Sequence, residues 1–377
     1  MTTSSSAQGS RPGARVAGGA RIGIVLNPIA GMGGRMALHG TDGAALAAAR
    51  AAGAVPVAAE RMRHALDELA VLEPELAVLV AGAPMGADLV PPGWHATVVH
   101  QPRQPTTAND TRQTAREFVA AGVDLVLFGG GDGTARDIAE VLAGRVPMLG
   151  VPCGVKMHSG VFATGPRSAA HVTARFLSSP GRRRPVDVLD TTSDGVGRMA
   201  TALVPDLGEG VQHGKSSASS GSDVAALGRW LAGRMQPGRQ YILGPGTSVA
   251  HVSAALGVPS SLLGVDVVRD GTLIAADVSE AALLALLADG GPSTLILGVV
   301  GGQGFLLGRG NQQLSPAVLR RIGPDNIEII ASADKVAALD PPVLQVDVDD
   351  VELAKDLCGF RKVWTGPRRS LVMRVVA

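Results

Sequence analysis

The sequence predicts an α/β protein with a Rossmann-like open parallel sheet in its N-terminal part and a second, mainly α/β domain behind it. Three observations predict this. Apolar runs such as VDLVLF at 123–128 do not alternate with polar residues, as expected of strands covered on both faces. Stretches rich in helix formers separate these runs at short intervals, which implies right-handed crossovers. Glycines gather where apolar runs end, the mark of tight turns at strand ends.

The elements follow in order. RIGIVLNP is a strand stopped by Pro28. A glycine-rich loop, IAGMGGRMALHGTDG, leads into a helix over 43–54. ELAVLVAG at 75–82 and ATVVH at 96–100 are strands, and 106–122 is a helix capped by Thr106 or Thr107. The strand 123–128 precedes a helix at 134–144 and a strand at 147–152. Strands near 185–190 and 198–204 and a flexible loop at 216–223 fill the middle. Strand and helix then alternate again from RQYIL to LQVDV, and FRKVWTGPRRSLVMRVV reads as two strands around a turn at Gly366. Residues 1–20, polar and Ser/Gly-rich, read as a disordered tail. The first domain is expected over 21–180 and the second over 181–377, with the last strands free to pack back on the first domain.

Composition narrows the function. The 377 residues suffice for two or three domains with sizeable cores. Lys plus Arg is 34 against 33 Asp plus Glu, and aromatics are only 3%, which argues against nucleic acid as a partner. No apolar run reaches the roughly 18–20 residues that span a bilayer, so no membrane partner is expected. Cys153 and Cys358 are too few for a disulfide framework and fit no zinc spacing, so no metal ligand set is expected, and a reducing, cytoplasmic setting is the simplest reading.

The chemistry is expected at the glycine turns. In open parallel sheets ligands bind beyond the carboxyl ends of the strands, where helix N-termini present N–H groups and partial positive charge. FGGGDGTARDI sits at such an end. Gly130, Gly131 and Gly133 offer bare backbone to a phosphate, and Thr134 can cap the helix. Asp132 has two natural tasks there, holding Mg²⁺ against phosphates or taking a proton from an attacking hydroxyl. The same stretch also reads as a tight turn with a solvated aspartate. NPIAGMGGR is a second turn, with Gly31 and Gly33. It is no dinucleotide fingerprint, because Met36 stands at the third glycine position, and no Walker A loop, because no GK[ST] follows. Arg35 stands where a guanidinium could meet a phosphate, and Asp42 follows in HGTDG.

GVPCGVKMHSGVFATGP is a third loop, with Lys156 a phosphate contact in preference to Cys153 as a nucleophile, since no third orienting group accompanies the Cys/His pair. A fourth, GGQGFLLGRGNQQLSP, carries Gly302, Gly304, Arg309 and Asn311, suited to an anionic or nucleotide ligand across a cleft, or else to close domain packing. GPGTS at 244–248 reads as a further helix N-terminus capped by Thr247 or Ser248, suited to hold a phosphate or to serve only as a cap.

GGDGT after an apolar strand, with NPIAGMGG on the first strand, resembles the ATP-NAD kinase superfamily, whose broader clan includes diacylglycerol and sphingosine kinases. The ordered set NPIAGMGGR, TTANDTRQTA, FGGGDGTARDI, GVPCGVKMHSGVFATGP, ILGPGTS and GGQGFLLGRGNQQLSP is similar to its AcoX-like branch. The resemblance covers roughly 21–165 and 240–377. It implies nucleotide phosphates on Gly130, Gly131 and Gly133, Asp132 as the catalytic or metal-organising carboxylate, and Asn27 facing the nucleotide. The implied reaction is phosphoryl transfer from ATP or polyphosphate to the 2′-hydroxyl of NAD, giving NADP, with Mg²⁺ accompanying ATP and a homodimer as the assembly. Two other readings stay open: a kinase of this fold with another hydroxyl acceptor, and a non-catalytic NAD- or ATP-binding accessory protein.

Overall fold

The computed structural model describes residues 20–38, 44–51, 53–155, 157–192, 195–214 and 221–377. Asp42 and Lys156 lie outside these, as do all but Ala20 of the expected tail and most of the loop expected at 216–223. The first sheet holds β1 (Ile22–Leu26), β2 (Ala77–Ala81), β3 (His95–His100), β4 (Leu125–Gly130) and β5 (Met148–Pro152). All pairings in it are parallel, in the order β3-β2-β1-β4-β5. Every residue of β1, β4 and β5 is buried, which is why their sequences show no alternation.

Helices α1 (Ala44–Ala51), α2 (Ala58–Leu72), α3 (Ala108–Ala121), α4 (Asp132–Leu142) and α5 (Pro166–Ser178) connect and flank these strands. The sequence reading passed over α2 and α5. Thr107 caps α3 in a capping box with Asp110, as expected, and Gly122 ends the helix in the left-handed region. Phe118 of α3, Met62, Leu66 and Leu69 of α2 and Phe128 of β4 meet in one core, where burial of each is worth about 1.5–3 kcal/mol.

An antiparallel hairpin, β6 (Arg183–Thr192) and β7 (Gly195–Pro205), follows. Val186, Val188, Ala202 and Val204 bury against the first core. The hairpin therefore packs with the first sheet, although it lies within 181–377, the range expected for the second domain.

The second sheet has nine strands. They are β8 (Gln240–Leu243), β9 (Asp266–Arg269), β10 (Thr272–Ala275), β11 (Ser293–Gly298), β12 (Phe305–Leu307), β13 (Ile327–Ile330), β14 (Val343–Val346), β15 (Gly359–Gly366) and β16 (Arg369–Val376). Their order is β10-β9-β8-β11-β13-β15-β16-β14-β12, parallel in the middle and antiparallel at β10/β9, β9/β8 and β15/β16. Helices α6 (Gly221–Ala232), α7 (Thr247–Leu256), α8 (Glu280–Leu286), α9 (Pro316–Ile322), α10 (Ala333–Ala337) and α11 (Val351–Leu357) accompany it. The last two strands pair with β13 and β14 and so belong to this sheet, not to the first. Among the described residues no helix is long and apolar enough to cross a membrane.

Candidate functional site

The strand order of the first sheet reverses between β1 and β4: β2 lies on one side and β5 on the other. The loops leaving the two central strands diverge there and open a cleft, as the topology demands. It encloses about 420 Å³ and is lined by Asn27–Gly31, Thr106–Ala108, Gly131–Thr134 and Asp190 among others. The N-termini of α3 and α4 both face it, so two sets of first-turn N–H groups and two positive dipole ends converge on one space.

Asp132 is the first residue of α4 and is 5% exposed. Its Oδ2 accepts the His158 N–H at 2.7 Å; its Oδ1 accepts the Ser159 N–H at 3.0 Å and the Ser159 hydroxyl at 2.6 Å. His158 Nδ1 stands 3.6 Å from Oδ2. Burial pushes the carboxyl up to about 6, in spite of the three hydrogen bonds that favour its charged form. The aspartate is thus a clamped, desolvated group and not the solvated side chain of a bare turn.

Asn27 follows β1 and ties the two loops together. Its N–H donates to the Gly129 carbonyl at 2.9 Å, and its Nδ2 donates to Thr134 Oγ1 at 3.1 Å. Thr134 therefore does not cap α4. It is the third helical residue, buried, and Gly131 occupies the cap position. Gly130 underlies this packing, since a Cβ there would meet Thr134 at 2.6 Å. Gly133 differs: a Cβ on it would meet nothing within 4 Å, so it faces the open cleft. Gly31 has φ +79°, and a Cβ would lie 2.2 Å from the Cys153 carbonyl, so the loop after β1 needs glycine to seat against the loop after β5.

A second ring of charge borders the cleft. Arg136, one turn after Asp132, pairs with Asp190 of β6 at 2.6 Å, and Arg112 of α3 pairs with the buried Asp137 at 2.6 Å. Sequence reasoning missed all four, although the i, i+4 spacing of Asp132 and Arg136 on one helix face was a signal.

Several expected contacts lie elsewhere. Gly33, Arg35, Gly302, Gly304, Arg309 and Asn311 do not line the cleft. Gly33 is buried in the turn before residues 34–36. Arg35 borders a separate cavity of about 60 Å³ and lies 3.9 Å from Glu280. Asn311 bonds its own loop, accepting from Gly308 N–H at 2.9 Å and donating to the Leu306 carbonyl at 2.8 Å. Gly302 and Gly304, with φ of 76° and 77°, shape the turn between β11 and β12. Gly246, with φ 111°, is the residue that precedes α7, so neither Thr247 nor Ser248 is its cap.

Arg309 is an internal anchor. It stacks 3.9 Å over the Phe305 ring and pairs with Asp347 at 2.6 Å. Asp347 also takes Arg61 of α2 at 2.7 Å, and Arg61 reaches Asp349 as well. Burial works against the Asp347 charge, but Arg61 and Arg309 outweigh it and hold the carboxyl below its usual range. This cluster joins the two halves, and nothing in the local sequence announced it, because Arg61 and Asp347 are 286 residues apart. Cys153 is 2% exposed, and burial pushes its thiol up to about 12, which suits a packing residue and not a nucleophile.

Among the described residues no group of three or more His, Cys, Asp or Glu side chains is placed to hold a metal ion. No curated protein matches the chain. Two solved structures that resemble it, titled a putative diacylglycerol kinase and a diacylglycerol kinase from Bacillus anthracis str. Sterne, are 20% and 18% identical to it. They cover 47% and 48% of this chain and 47% and 49% of their own, each with a TM-score of 0.25, so the chain spans about half the length of these structures. Residues 22–180 match the ATP-NAD kinase N-terminal domain and residues 237–375 the ATP-NAD kinase C-terminal domain. Both matches fall in order on the two sheets, and the chain belongs to the ATP-NAD kinase family.

Proposed function

We propose that this protein is a phosphotransferase that moves a phosphoryl group from ATP, or from polyphosphate, to the 2′-hydroxyl of NAD, giving NADP. Within the family we assign it to the AcoX-like branch, working in the cytoplasm as a homodimer. The observation that carries the reading is Asp132: a buried carboxylate with raised proton affinity, at the switch point of a parallel sheet, between two helix N-termini.

The N–H groups at the starts of α3 and α4, with Gly131 and Gly133, suit the donor phosphates. Asp132 takes the proton of the acceptor hydroxyl as its oxygen attacks the γ-phosphorus. The bond from that phosphorus to the bridging oxygen breaks, and ADP leaves. Asn27 and Thr134 fix the two loops against each other, which keeps acceptor and donor in line. Of the three carboxylates that line the cleft, Asp137 and Asp190 are already paired with Arg112 and Arg136, and Asp132 is held by hydrogen bonds. That balance suits a phosphate chain that brings its own Mg²⁺. Among the described residues no protein-only cage converges there, so Asp132 would at most help hold an ion that arrives with the phosphates. Such an ion would supply charge neutralisation for the transferring group.

The test is turnover with Mg-ATP and NAD, reading NADP with a coupled dehydrogenase, and polyphosphate as alternative donor. Asp132→Asn should lower kcat by about 10²–10⁴-fold with nucleotide binding retained. No NADP from either donor, with binding intact, sinks NAD as acceptor.

A further inference from the structure

The Asp132 carboxylate receives its three hydrogen bonds from one short strap, Met157–Ser159, which is neither helix nor strand. A strap of that kind holds position only if its own carbonyls are tied down. Two glutamine amides tie them. The Gln212 amide donates to Met157 O at 3.0 Å and Ser159 O at 2.8 Å. The Gln303 amide donates to Met157 O at 3.0 Å and His158 O at 3.4 Å. Both side chains are buried, at 1% and 5% exposure. The Met157 carbonyl accepts from both, as its two lone pairs allow. With each NH₂ spent on two carbonyls, flipping either amide would set oxygen against oxygen, so the geometry fixes its orientation.

The ties lead into the second half of the chain. Gln303 sits in the turn between β11 and β12, where Gly304 has φ 77° and a Cβ would meet the Val343 carbonyl at 2.8 Å. Gln212 accepts from Arg309 Nε at 3.1 Å, and Arg309 is held by Asp347. The preceding residues are fastened from the same side, since Gln312 donates to Gly154 O at 3.2 Å and Val155 O at 3.1 Å.

We propose that Gln303 and Gln212 are positioning residues for Asp132. They hold the strap whose two N–H groups and one hydroxyl aim the carboxylate into the cleft, so the second half of the chain decides whether the carboxylate of the first half is aligned. The role rests on the reading of Asp132 as the proton acceptor.

The test compares full-length wild type with Gln303→Glu, which keeps the shape but presents oxygen to two carbonyls, and Gln303→Met, which keeps the volume and deletes the donors. Two measurements are made on each: hydrogen exchange at the His158 and Ser159 amides, and kcat and KM for Mg-ATP. We expect exchange at both amides at least about tenfold faster, kcat at least about tenfold lower and KM within about twofold, because the donor's contacts are untouched. A folded Gln303→Met protein with unchanged exchange, or with faster exchange and unchanged kcat, overturns the proposal. If wild type makes no NADP, the functional reading fails on that result alone. The exchange comparison then decides by itself whether the glutamines hold the strap.

Discussion

At the scale of the residue, Asp132 is the group whose state sets the chemistry. An ordinary aspartate releases its proton near 3.9, whereas burial holds this one to about 6 in the folded protein. The folded chain therefore binds that proton more tightly than the unfolded chain. Its contribution to stability falls as pH rises from about 4 to 6, while the charged form needed by a base appears over the same range. Initial rates should climb tenfold per pH unit up to about 6 and then level, and the Asp132→Asn variant should lack that limb. Gly133 gives a complementary prediction. With no atom within 4 Å of an added Cβ, Gly133→Ala should melt no lower than wild type. The methyl group would stand where a phosphate approaches, so KM for Mg-ATP should rise about tenfold while thermal stability holds. A KM equal to wild type would remove the phosphates from this turn.

At the scale of the element, α4 is held to the hairpin by Arg136 and Asp190. Arg136→Ala removes the cation that faces Asp190, and the negative charge of Asp190 then acts more fully on Asp132. The acid limb of the rate profile should move up by about one pH unit, readable from the same initial-rate series. The turns, strands and cap that compose the cleft were legible in the sequence because each is a local statement. The unbroken apolar run of β4, the glycines after it and Thr107 three residues before Asp110 depend only on their neighbours. What was illegible depends on distant partners. Arg61 on α2 is one charged residue among several on that helix until the second half of the chain brings Asp347 and Asp349 to it. The glycine-rich stretch at 301–310 advertised a ligand loop, and its composition suited that role. Its glycines instead bend the backbone so that Gln303 can reach two carbonyls 145 and 146 residues away.

At the scale of the whole molecule, the two sheets meet through buried charge. Asp347→Ala would leave Arg61 with Asp349 alone and the buried Arg309 without its carboxylate, and such a loss costs about 3–5 kcal/mol. Urea unfolding should register that loss. A variant as stable as wild type would show that the junction carries no such load. The strand order has one more consequence, for the order of events during synthesis. Among the described residues β16 lies between β15 and β14 and is the link from β14 and β12 to the rest of the second sheet. The first sheet is complete once residue 152 has emerged from the ribosome, but the second cannot close before residue 376 does. A nascent chain can therefore carry a formed cleft whose carboxylate still waits for Gln303 to be seated, and catalytic competence would be the last property the protein acquires.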